Sequence, residues 1–331
     1  MARAPGAPAG TGTPDRAAPI FEESSMSHHV PGTTARPGAD GADSAVHDGT
    51  PVAPGSEGLA APVPVAARKD TVPAGAPDAG SAPARWAAEF AGTALLVFAG
   101  LGTGMFATEV IDSALGFGLG LVAAIVAFGH VSGGHFNPAV TLAAFVAGRT
   151  PARAAVGYVV AQVLGALAAA GVLWAVLATL LDSSTTAQVL GAVSNGFGEN
   201  STSQAGWTTV LLVEFVATAL FALVVLGSTA PRANAVLAPV AIGAAFAFLL
   251  TITAPFDGGS LNPARSTGAA VVAGAGHLGQ LWLFWVAPLL GGLVAGLVHR
   301  SVALSRPRRG TDALAATEST PAATSTPDQE R

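Results

Sequence analysis

Beyond residue 85 the chain alternates between long apolar runs and short polar joints. Six runs stand out, at residues 86–105, 113–128, 156–180, 210–226, 236–252 and 281–298. Helices of a soluble bundle carry a polar stripe opposite their apolar face. The run LLVEFVATALFALVVLG at residues 211–227 has only Glu214 and Thr218 as polar side chains, so a soluble bundle does not fit. A helix that crosses the hydrocarbon layer needs about 20 mostly apolar residues, and shorter runs suffice where their ends line a cavity. The pattern therefore predicts an all-α membrane protein with six crossings.

Two polar joints are nearly identical. GGHFNPAVT occupies residues 133–141 and GGSLNPARS residues 258–266, and each follows an apolar run. Asn137 and Asn262 lie 125 positions apart, as do Glu89 and Glu214, and Gly118 and Gly243. The third runs, YVVAQVLGAL and FWVAPLLGGL, match at an offset of 126. Each half, at about 84–182 and 208–302, thus holds three crossings. An odd number makes the halves enter the membrane in opposite senses, which is an inverted repeat.

The chemistry of the duplicated segment follows from its residues. Asn is a favoured helix N-cap, and Pro suits the first helical position, where its missing N–H would be unpaired anyway. NPAVTLAAFVAG and NPARSTGAAVVAG then read as helices of about three turns, too short to cross. Each is expected to re-enter from its own side, with the Gly pair permitting a tight backbone approach. Inversion brings the two N-termini together near mid-membrane, each with roughly half a positive charge from its peptide dipoles. Asn-Pro as a mere turn signal would explain one copy. It does not explain two at a matched offset.

Composition agrees and adds little chemistry. Of 331 residues 51% are hydrophobic and 11% charged, against about a quarter charged in an average soluble chain. Cysteine is absent, which removes disulfides, thiolate nucleophiles and Cys-bound zinc, and the net charge of -5 gives no sign of nucleic acid. Residues 1–83 are rich in Ala, Pro, Gly, Ser and Thr and are expected to be a disordered tail, as are residues 303–331. No apolar stretch that would serve as a cleavable signal follows Met1, and Met26 is an alternative start. Arg85, Arg149, Arg153, Arg232, Arg300, Arg306, Arg308 and Arg309 all fall on one side of the six crossings. Glu109, Asp112, Asp182, Glu199 and Asp257 fall on the other, where Arg265 is the single basic residue. By the positive-inside bias both termini are cytoplasmic. A cation at membrane depth costs about 2.5–3.5 kcal/mol on insertion scales, so Arg265 is a functional candidate.

GHVSGGHFNPAVT at residues 129–141 and NPARS at 262–266 resemble the two signature loops of the aquaporin, or major intrinsic protein, family. The resemblance spans approximately residues 85–299. It implies a right-handed bundle of six crossing helices plus two re-entrant half-helices, one pore per subunit, in a homotetramer of the cell membrane, with no cofactor and no metal. It implies that Asn137, Pro138, Ala139, Asn262, Pro263 and Ala264 form the pore centre, where the paired asparagines orient permeant molecules and break a proton wire. Phe117, Leu250, Gly259 and Arg265 fall on the outer constriction, where Arg265 rejects cations and donates to a neutral solute. Leu250 stands where strict water channels place His, which makes the constriction more apolar and wider. Ser266, Phe284 and Trp285, in contrast, match water channels rather than glycerol facilitators. The symmetric Glu89 and Glu214 are expected to accept N–H groups of the re-entrant loops, and His130 and His135, which flank the first loop, to support and pack it or to form a cytoplasmic gate rather than to bind a metal. Gly157, Ala161 and Gly165, and Ala287, Gly291 and Ala295, give small faces for close helix packing. Trp86, Trp207 and Trp282 read as interface anchors.

The function implied is passive conduction of water and other small uncharged solutes such as glycerol, urea or ammonia, with exclusion of protons and ions. An ion-coupled secondary transporter also uses inverted repeats, but normally needs unpaired ionisable groups at its substrate site. An enzyme is disfavoured because no nucleophile, acid and base converge.

Overall fold

A computed structural model describes residues 81–305. Apart from their inner edges, the two expected tails lie outside the described residues. Six helices are long and apolar enough to cross a membrane. They are α1 (Ala82–Gly104), α2 (Val110–Ser132), α4 (Ala152–Leu177), α6 (Trp207–Ser228), α7 (Ala238–Asp257) and α10 (Leu283–Leu304). Two short helices follow the duplicated segments, α3 (Pro138–Val146) and α8 (Pro263–Ala273). There is no strand among the described residues.

Two further helices were not expected, α5 (Ser183–Ala192) and α9 (Ala275–Gln280), both on the side opposite the termini. α5 starts where Asp182 accepts the N–H groups of Ser184 and Thr185 at 2.9 and 3.0 Å. The Ser184 hydroxyl above all, with the Thr185 N–H and hydroxyl, holds this carboxyl well below the usual carboxylate range.

The repeat organises the packing. α1 lies against α2 and α4, and α6 lies against α7 and α10. The halves meet along α2 and α7, where the backbones touch: a Cβ on Gly118 would stand 2.6 Å from the Gly243 carbonyl oxygen, and the reverse holds for Gly243. Each half-helix packs chiefly on the third crossing of the other half, α3 on α10 and α8 on α4. Glycine permits this exchange too, since a Cβ on Gly268 would stand 2.7 Å from the Ala166 carbonyl oxygen. Of the expected small faces, Gly165 abuts the Phe90 carbonyl and Gly291 that of Phe215, the glycines 126 apart and the phenylalanines 125. Trp86, Trp207 and Trp282 are exposed near helix starts.

Polarity is inverted relative to a soluble protein. Leu119, Val126, Val156 and Leu212 are more than 60% exposed, whereas Glu89, Gln162, Glu214 and Asn262 are wholly buried. An outer surface this apolar is matched to hydrocarbon, and the buried polar groups demand partners inside the protein.

Candidate pore and constriction

Asn137 and Asn262 sit at the N-termini of α3 and α8 with extended backbones, and each side-chain oxygen caps its own helix. Asn137 Oδ1 accepts from Ala139 N–H at 2.8 Å, and Asn262 Oδ1 accepts from Ala264 N–H at 3.0 Å. Pro138 and Pro263 occupy the first helical positions. The side-chain nitrogens then reach across the repeat axis. Asn137 Nδ2 donates to the Leu261 carbonyl at 2.7 Å, and Asn262 Nδ2 donates to the Phe136 carbonyl at 3.0 Å. An amide nitrogen carries two hydrogens, so each Asn has a second N–H beyond the one spent on the opposite loop. Both acceptor residues hold left-handed backbones, with φ of +48° at Phe136 and +55° at Leu261. Such backbones are uncommon in residues other than Gly, and here they turn both carbonyls toward the opposite half. The Gly pairs before them are also left-handed, at Gly133, Gly134, Gly258 and Gly259, which explains why both halves spell Gly-Gly.

The loops are held from behind by the two glutamates. Glu89 accepts from the N–H groups of His135 and Phe136 at 3.0 and 2.7 Å, and Glu214 from those of Ser260 and Leu261 at 3.0 and 2.9 Å. These are equivalent positions in the two halves. His135 pairs its Nδ1 with the Thr141 hydroxyl at 3.1 Å and meets the Tyr158 ring edge-on. His130 departs from expectation. It is exposed on the last turn of α2 and makes none of the loop's hydrogen bonds; Ser132, two residues on and facing inward, donates to Glu89 instead at 2.6 Å.

Phe117, Leu250, Gly259 and Arg265 line a single cavity of about 240 Å³ that opens on the α5 side between Glu109, Ala192 and Thr202. The Arg265 guanidinium lies over the Phe117 ring, 4.8 Å from its centre, in a cation–π contact. Gly259 has φ of +67°, and a Cβ there would meet Leu250 Cδ2 at 3.1 Å. The space left by the missing side chain is thus partly taken by Leu250. Arg265 is 2% exposed.

Residues 81–299 match the family described as major intrinsic protein. The chain belongs to the major intrinsic protein family. It is similar to Aquaporin Z of Rhodopseudomonas palustris, with 42% identity over 225 residues, covering 65% of this chain and 92% of that one. Aquaporin Z of Brucella melitensis is 43% identical over 222 residues, covering 65% and 96%. The fold resembles the aquaglyceroporin of Plasmodium falciparum with a TM-score of 0.58 at 22% identity, over 68% of this chain and 96% of that one.

Within this member of the major intrinsic protein family, the residue that sequence reasoning missed is Asn195, in the connection after α5. It is buried, and its Oδ1 accepts from Arg265 Nη1 and from the Ser266 hydroxyl. Its Nδ2 donates to the Asp257 carbonyl at 3.2 Å, and its own carbonyl pairs with His277 Nδ1 on α9 at 3.0 Å. The connection after α5, braced by α9, therefore supplies the anchor of Arg265. A lone Asn in a polar connection carries no periodic signal, which is why only the contacts reveal it.

Proposed function

We propose that this chain is a passive channel that conducts water and small uncharged solutes and excludes protons and ions. The observation that carries this reading is the reciprocal pair of Asn137 and Asn262. Two short helices aim their positive ends at one point, and each cap keeps an N–H for a passing hydrogen-bond acceptor. A solute oxygen is favoured there and a cation is not. The relatives named aquaporin Z support water as one permeant.

Arg265 is the second barrier to cations, and Leu250 and Gly259 make the constriction less polar than Arg265 with a His partner would be. That composition supports passage of glycerol-sized or smaller neutral solutes beside water. Ion coupling has less support, because the buried carboxyl groups Glu89, Glu214 and Asp257 are each engaged by loop N–H groups, those of His135 and Phe136, of Ser260 and Leu261, and of Gly259. The channel is proposed to lie in the cell membrane as a homotetramer, with both termini cytoplasmic and α5 outside.

Stopped-flow light scattering on proteoliposomes tests the solute assignment. With no ion gradient, water should equilibrate well above the protein-free rate, with measurable glycerol, urea or ammonia entry. Solute entry only when an ion gradient is imposed would contradict the proposal.

A further inference from the structure

The two halves clasp their re-entrant loops with the same glutamate but with different donors. Glu89 accepts four hydrogen bonds, from the N–H groups of His135 and Phe136, from the Ser132 hydroxyl at 2.6 Å and from Gln162 Nε2 at 2.7 Å. The offset of 125 carries Ser132 onto Asp257, and the offset of 126 carries Gln162 onto Pro288. Glu214 keeps both backbone donors. Proline offers none, and a carboxyl stands in place of the hydroxyl.

In the first half Ser132 Oγ accepts from Gly134 N–H at 3.1 Å and donates to Glu89. Asp257 reproduces the first half of this arrangement, since its Oδ1 accepts from Gly259 N–H at 2.7 Å. Its Oδ2 is buried and receives no hydrogen bond from an N–H or hydroxyl group, and the Glu214 carboxyl lies within hydrogen-bonding reach of the Asp257 carboxyl. Both residues are 0% exposed. Arg265 turns its Nη1 and Nη2 to Asn195 and the Gly258 carbonyl rather than to either carboxyl. Two adjacent buried carboxylates repel, and an unpaired buried oxygen is costly. A carboxylic acid removes both difficulties, because it has one O–H to donate.

We infer that Asp257 is a positioning residue that acts as a neutral acid, donating its O–H to Glu214 as Ser132 donates to Glu89. The inference rests on the channel reading for its importance to selectivity. Gly259, whose N–H the carboxyl takes, lines the constriction, and the Asp257 carbonyl accepts from Asn195 Nδ2 and from Gly196 N–H at 3.1 Å. One residue thus ties the second loop's glutamate to the constriction backbone and to the anchor of Arg265.

Three variants of the full chain test it: Asp257→Ala, Asp257→Asn and Asp257→Ser. Asn and Ser each keep an acceptor for Gly259 and a donor for Glu214, and Ala keeps neither. Asp257→Ala should lower the unfolding temperature in detergent and shift the water-to-glycerol permeability ratio by roughly tenfold, a size reasonable for sub-ångström misplacement at a narrow site. Asn and Ser should recover most of both. The infrared spectrum of the unsubstituted protein at neutral pH should show a carboxylic-acid C=O band that Asp257→Asn lacks. The absence of that band, or Asn and Ser variants as impaired as Ala, would overturn the inference. Should Asp257→Ala not fold, the band and the Asn and Ser comparisons still decide. Vesicles that pass no solute while the band and the stability ranking hold would support the clasp and overturn the channel reading alone.

Discussion

Asn137 and Asn262 each hydrogen-bond the carbonyl of the residue just before the other, so neither half-helix can be placed without its counterpart. The link is reciprocal across the repeat axis. It uses one amide hydrogen of each Asn and leaves the backbone of both loops fixed at the point where the dipoles converge.

The crossed bonds give the caps a structural task beside the conducting one proposed for them. Asn137→Ala removes an N-cap, worth about 1 kcal/mol, and orphans the buried Leu261 carbonyl, worth about 1–3 kcal/mol. A loss of roughly 2–4 kcal/mol is expected, read as a lower unfolding temperature of the purified protein. Asn262→Ala should behave alike. Unchanged unfolding temperatures would show that the crossed bonds do not hold the loops.

The α2–α7 contact is equally specific. Gly118→Ala pushes a Cβ against the Gly243 backbone, which cannot step aside as a flexible side chain would. The cost should be about 1–3 kcal/mol. Gly171→Ala in α4, with nothing within 4 Å of the new Cβ, should be neutral or stabilise by about 0.5–1 kcal/mol. Thermal unfolding of the two variants side by side checks the contrast, and equal shifts would contradict it.

Arg265→Val removes the charge at the constriction and releases Asn195. A unit charge at 4 Å repels a monovalent cation by about 4 kcal/mol at an effective dielectric of 20, so cation or proton flux should rise by up to roughly 1000-fold. A pH-sensitive dye inside proteoliposomes reads the proton component. Unaltered exclusion would mean that the half-helix dipoles suffice without Arg265.

Leu250→His tests the apolar side of the constriction. Leu250 fills space beside Gly259, and an imidazole there adds a polar partner opposite Arg265. Glycerol permeability should fall relative to water by roughly tenfold, the scale on which a pocket separates close analogues. An identical ratio in the two proteins would show that Leu250 does not set the solute limit.

The bundle was legible because its signals are long or duplicated. Six apolar runs and one offset shared by Asn137 and Asn262, Glu89 and Glu214, and Gly118 and Gly243 define an inverted repeat without any coordinates. The helices proved longer than the runs at several ends. α6 begins at Trp207 and α7 continues through Pro255 to Asp257, because residues at the interfacial ends need not be apolar. α5 and α9 left no trace, being short and polar-faced at an outer surface where hydropathy says nothing. The same limit hid Asn195. Nothing in the sequence marks Ser132, a small polar residue at a helix end, yet the register along α2 aims it at Glu89 and leaves His130 exposed. In the sequence Asp257 is one acid among several on the side opposite most of the arginines. Only its pairing with Ser132 through the repeat gives it a task.

Opposed, cross-bonded half-helix tips are proposed to carry neutral molecules while breaking the path of protons. Simultaneous recording of osmotic water flux and internal pH in one set of proteoliposomes tests it most directly. Water flux well above that of bare lipid is expected, with no accompanying proton flux. A proton current that rises in step with the water flux would contradict it.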